Sequence, residues 1–123
     1  MRIYFESKKG HTKAFLEEKV LPLINSLELV QIDENTVADK PGHLVTYTTG
    51  KGKTPKLTNF FVEKYKDFIL SVSSGGSSKG HPETFGFARK NLVEEFGLVS
   101  GIIFDGKGTD DDAKNLIKIM TEQ

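Results

Sequence analysis

The chain has 123 residues, 37% hydrophobic and 28% charged, with 17 basic against 17 acidic side chains and no cysteine. That length suits a single domain with a sizeable core, and residues 1–123 are expected to form one. The charge balance gives no nucleic-acid footprint, the missing thiols exclude disulfides, iron–sulfur ligation and a cysteine nucleophile, and no apolar run nears the roughly 20 residues that span a bilayer.

The opening MRIYFES lacks the apolar core and cleavage site of a signal peptide, so a soluble, cytoplasmic protein is expected. Arg2 to Glu6 contains the apolar run Ile3, Tyr4, Phe5, the pattern of a strand buried on both faces. Thr12 is placed to cap a following helix with Phe15, Leu16, Lys19, Val20 and Leu23 as its inward stripe, and Pro22 limits its end. Residues 26–32, SLELVQI, alternate apolar and polar and predict a second strand. Polar DENTVADKPGH leads into a third strand, HLVTYTT, over residues 43–49. GKGKTP interrupts. Thr54 then Pro55 predict a capped helix start, continued by Leu57, Phe60, Phe61 and Tyr65.

DFILSVSS, residues 67–74, predicts a fourth strand, followed by the long turn GGSSKGHPET. A third helix is expected from Thr84 to Phe96, with Phe85, Ala88, Leu92, Val93 and Phe96 inward, and LVSGIIFDG is the fifth strand. Thr109 caps a last helix, whose first-turn Asp110, Asp111 and Asp112 complement the helix dipole better than they suggest a metal site. Ala113, Leu116, Ile117 and Met120 recur at the helix period. Alternating strands and helices predict an α/β, three-layer α/β/α sandwich around a five-stranded parallel sheet, with the flavodoxin-like order 2-1-3-4-5.

Ligands of open parallel sheets bind at the carboxyl ends of strands, where the strand order reverses. Here that point lies between the first and third strands, so the loops at 7–12, 48–54 and 73–84 should converge. All three are rich in Ser, Thr and Gly, and the loops of the opposite edge are not. The first offers Ser7 and Thr12 hydroxyls, backbone amides, Gly10 and a helix N-terminus, which suit a phosphate monoester; the same residues also make an ordinary capped turn. Neither a Walker A loop nor G-x-G-x-x-G is present. Gly50 and Gly52 let backbone approach a flat ligand, or form a flexible turn; Gly75, Gly76 and Gly80 wrap a ring edge, or form a mobile loop. His11 and His81 can meet at the site, but His11, His43 and His81 lack metal-ligand spacing and are read as exposed loop histidines. Tyr47 and Phe85 are the aromatics near these loops, and no Ser-His-Asp arrangement is visible.

Four segments in order resemble the NrdI family, small flavodoxin-like proteins that serve class Ib ribonucleotide reductase. YFESKKGHTKAFLEE is similar to the family's opening strand, S-x-T-G-N-x turn and helix. HLVTYTTGKGKTPKLTNFFVEKY resembles its LVTYTT…G…P…FLEKY segment, SVSSGG with TFGFA resembles its ASGN…FG flavin-edge loop, and GKGTDDDAKN resembles its last helix start. The resemblance implies non-covalent FMN, with its phosphate on Ser7, Lys8, Lys9, Gly10, His11 and Thr12. The isoalloxazine would lie between Tyr47, Thr48, Thr49, Gly50 and Gly52 on one side and Ser74, Gly75, Gly76, Phe85 and Gly86 on the other. It implies that reduced flavin, fed by a separate electron donor, passes electrons to dioxygen to make the oxidant for the dimanganese-tyrosyl radical cofactor of the small subunit NrdF. In that role the chain is a redox accessory protein with no side chain acting as acid or base. Lys9 and His11 stand where the family has threonine and asparagine, and the third loop is longer and lacks an aromatic, which leaves the ring more open or hands its cover to Phe85 or His81. These departures fit a divergent or accessory paralogue. A general flavodoxin shuttle is disfavoured by lysines in the loops; a flavin-free binding module of the same fold remains the other alternative.

Overall fold

A computed structural model describes residues 1–80 and 82–123 of the chain. Strands β1 (Arg2–Phe5), β2 (Glu28–Gln31), β3 (Gly42–Tyr47), β4 (Ile69–Gly76) and β5 (Ser100–Asp105) interleave with helices α1 (His11–Phe15), α2 (Lys56–Tyr65), α3 (Phe87–Phe96) and α4 (Asp110–Glu122). The strands form one sheet in the order β2-β1-β3-β4-β5, every neighbouring pair parallel, as the sequence predicts.

Successive side chains of a strand point to opposite faces, and this splits the core in two. Ile3, Phe5 and Val45 face α1 and α4, packing with Phe15, Leu16, Val20, Leu116 and Met120. Tyr4, Leu44 and Val72 face α2 and α3, packing with Phe61, Val62 and Leu92. Phe15 stacks on Phe104 with ring centroids 4.3 Å apart, and Tyr4 meets Phe61 at 5.1 Å. Parallel strands need crossovers, and the helices that make them cover both sheet faces.

The element ends differ from the sequence expectation for local reasons. Thr12 does not cap α1; it is buried in the first turn, and Gly10, at φ 84°, occupies the cap position. α1 continues as a π-turn over Leu16–Val20 and closes in a 3-10 turn, Leu21–Leu23, because Pro22 has no N–H to give back along the helix. Lys19 is therefore only partly covered, and Leu23 is 54% exposed instead of inward. Pro55, with extended ψ, is itself the N-cap of α2, and Thr54 makes no cap bond. β4 runs on to Gly76, which puts Ser74, Gly75 and Gly76 in the sheet and not in the loop. α3 starts at Phe87, after Gly86 breaks the chain direction at φ 79°. The aspartate run opens α4 through a reciprocal capping box between Thr109 and Asp112. His43 is not an exposed loop residue: it is 2% exposed, and its Nδ1 lies 2.7 Å from Ser71 Oγ.

Candidate functional site

At the carboxyl ends of β1, β3 and β4 the sheet opens into a cavity of about 290 Å³. Ser7, Lys8, Lys9, His11 and Thr12 line it after β1. The end of β3 brings Tyr47, Thr48, Thr49 and Gly50, and the end of β4 brings Gly75, Gly76 and Ser77. Asp105 and Gly106, at the end of β5, complete the wall. The three loops singled out in the sequence meet in one place.

Gly10 turns the first loop into α1 at a positive φ that other residues rarely adopt, and a Cβ there would meet nothing within 4 Å. Its carbonyl accepts from the Ala14 amide at 2.9 Å, and Ser7 Oγ accepts from the Lys13 amide at 3.3 Å. The amides of Lys8, Lys9, Gly10, His11 and Thr12 have no protein acceptor among the described residues. A merely capped turn therefore accounts for Lys13 and leaves its neighbours unpaired. Unpaired first-turn amides beside two lysines fit a phosphate group.

The second and third loops are braced by a relay of short polar contacts. The Ala88 amide donates to Thr48 Oγ1 at 3.1 Å, Thr48 Oγ1 lies 3.0 Å from Ser74 Oγ, and Ser74 Oγ donates to the Gly75 carbonyl at 3.2 Å. Ser74 is fully buried and supports Thr48 without reaching the cavity. Gly52 also lies behind the wall, where a Cβ would come within 2.9 Å of Phe87 and Thr84; its carbonyl accepts from Asn91 Nδ2 at 3.0 Å. Gly86 packs on Ile103. Phe85 lies against Gly76, 3.4 Å from where a Cβ would stand, and does not line the cavity. Of the five predicted residues outside the lining, Gly10 shapes the turn and Gly52, Ser74, Phe85 and Gly86 buttress the wall. His81 lies outside the described residues.

Tyr47 reaches back from the cavity to Glu6, donating to Oε2 at 3.3 Å. Glu6 Oε1 accepts from the Thr58 amide at 2.9 Å and from Thr58 Oγ1 at 2.6 Å, closing the first turn of α2 from 52 residues away. Burial, then the Glu6 charge and the hydrogen bond to it, push the Tyr47 phenol up to about 12, so it stays protonated at neutral pH. Asp105 accepts from both the amide and the hydroxyl of Ser78, and these bonds hold its carboxyl below the ordinary range.

Sequence reasoning missed Ser77, Asp105, Gly106 and the role of Glu6. Asp105 and Gly106 end a strand of the same parallel sheet, so the rule that pointed to the other three ends applied to them too. Glu6 carried no local signal, because its partner Thr58 belongs to a distant element.

Among the described residues no helix is long and apolar enough to cross a membrane. A solved structure titled as the Trp repressor binding protein from Bacillus subtilis superposes with a TM-score of 0.53, covering 98% of this chain and 94% of that one. At 9% identity it shows the flavodoxin-like fold alone. The SPbeta prophage-derived protein NrdI of Bacillus subtilis (strain 168) is 30% identical over 114 residues, 93% of this chain and 86% of that protein. Protein NrdI of Bacillus licheniformis is 34% identical over 77 residues, 63% of this chain and 55% of that protein. The family model described as NrdI Flavodoxin like matches residues 3–118, and the chain belongs to that family.

Proposed function

We propose that the chain binds FMN in this cavity and serves as the flavin partner of the class Ib ribonucleotide reductase small subunit NrdF. The observation that carries the proposal is the coincidence of one cavity, at the switch point of the sheet, with unpaired amides and two lysines on its first wall. Lys8, Lys9 and the amides of residues 8–12 would hold the phosphate. Thr48, Thr49 and Gly50 would flank the isoalloxazine on one side, and Gly75, Gly76 and Ser77 on the other. When bound, the flavin supplies the redox chemistry, taking electrons from a donor protein and delivering them to dioxygen for assembly of the dimanganese-tyrosyl radical in NrdF. The chain's own part is to bind and orient: Tyr47 keeps its proton and fixes the β3 end to Glu6, and Thr48 holds the second wall to α3.

Titration of the purified chain with FMN tests the cofactor. Quenched flavin fluorescence and a shifted visible spectrum at stoichiometric binding support it, and a chain that leaves added FMN unchanged refutes it. Radical formation on manganese-loaded NrdF, given reduced flavoprotein and dioxygen, tests the partner; no complex and no radical would reject NrdF while leaving FMN standing.

A further inference from the structure

The third loop leaves the sheet at Gly76, beside the end of β5, and the two segments are joined twice. The Gly106 amide donates to the Gly76 carbonyl at 2.9 Å. Two residues further, the Ser78 amide donates to Asp105 Oδ1 at 3.3 Å and the Ser78 hydroxyl donates to Oδ2. Both oxygens of one carboxylate are thus taken by a single residue of the loop. Ser77, between these two joints, lines the cavity, as does Asp105 itself. Ser77 Oγ in turn accepts from the Gly80 amide at 3.0 Å. Among the described residues the segment has little else to hold it: Ser77, Lys79 and Gly80 are exposed, and a Cβ on Gly80 would meet only Ser77. A chain so rich in glycine and so poor in packed side chains loses much conformational entropy when it is ordered.

We propose that Asp105 is a positioning residue for the flavin site, acting through Ser78 to hold residues 76–80 as a preformed wall. The inference rests on the FMN reading above. Its physical content is that the ordering cost of the loop is met on folding and does not have to be met again on binding. The carboxyl stays ionised, as an acceptor engaged at both oxygens must, because the Ser78 hydroxyl, its amide, and the nearby Lys79 charge favour the charged form.

Two measurements on Ser78→Ala, Asp105→Ala and the double variant test it: FMN titration by fluorescence quenching, and hydrogen exchange of amides 77–80 without flavin. Each single substitution is expected to weaken FMN binding by about five- to tenfold, and the double variant no further than the worse single one, since both remove the same joint. Exchange at 77–80 should speed up in all three variants while α4 keeps its protection. Additive losses, or a change in Asp105→Ala with Ser78→Ala like the parent, would overturn the proposal, because the carboxylate would then act on the ligand directly. Unchanged exchange would overturn it as well. If the parent chain binds no FMN the cofactor reading fails, and the exchange arm alone still decides whether Asp105 orders the loop.

Discussion

Each of the helices α1 to α4 follows a strand of a parallel sheet and so begins on the cavity side, yet their first turns are treated differently. α4 is closed by its own Thr109 and Asp112, α2 by Glu6 of the β1 end, and α3 by Thr48 of the β3 end, 40 residues before the amide it accepts from. α1 has only the long contact from Ser7 to Lys13, and the amides before it find no protein acceptor among the described residues. A helix start offers the same unpaired donors wherever it occurs. Where the protein supplies an acceptor, those donors build the fold. At α1 its one contact is longer, 3.3 Å, and Lys8 and Lys9 stand beside the remaining donors, an arrangement that suits an anionic acceptor from outside.

The contrast can be broken from either side. Glu6→Ala strips Thr58 of its two bonds to the carboxylate, leaving only the contact of its hydroxyl with Thr46 Oγ1, and Tyr47 of its partner, and should cost about 3 kcal/mol in urea unfolding. Parent-like stability would mean that α2 does not depend on its distant cap. A pH titration sharpens the point by probing the other end of β3, away from every helix start. Burial, with the N-terminal ammonium adding to it, pushes His43 down to about 4 in the fold, against an ordinary 6.5. The unfolded chain therefore takes up the proton first. Stability should be flat above pH 6.5 and fall toward pH 4, by at most about 2 kcal/mol at pH 5. His43→Leu should flatten that slope; a slope that survives it belongs to other groups.

Smaller effects are expected at the open start. Gly10→Ala should cost about 1 kcal/mol in thermal unfolding, all of it conformational, since the left-handed backbone is strained for alanine and the new methyl touches nothing. Lys8→Ala and Lys9→Ala should leave stability unchanged and each weaken FMN binding by about three- to fivefold at low ionic strength, a difference that shrinks in high salt. Salt-independent losses would argue against a charge contact with phosphate.

The sheet order was legible because it follows from hydrophobic runs alternating with helix-period stripes, a pattern written locally from Ile3 to Met120. The three walls of the cavity were legible from Ser, Thr and Gly at strand ends. What each residue does there was less so. Ser74, Gly52 and Gly86 look like loop donors in sequence, but each is committed to a neighbour from another element: Thr48, Phe87 and Ile103. Glycine at 75 reads as an accommodation to a ligand, and it lines the cavity, but a Cβ there would stand 2.7 Å from the Phe104 ring, so the core requires it too. Tertiary partners decided these roles, and a single sequence records only one side of each pair.

The bond from Glu6 to Thr58 also ties the first turn of α2 to a segment far from it in sequence. α2 follows β3 directly in the chain, but its first turn is completed only when β1 lies alongside β3 and brings the Glu6 carboxylate to Thr58. A fragment carrying β3 and α2 without β1 leaves that turn without its carboxylate acceptor, whatever its local propensity. The contact closes a long loop, so its entropic cost is shared with the pairing of β1 against β3. The residue after the N-terminal strand thus clamps a helix that lies half a chain away.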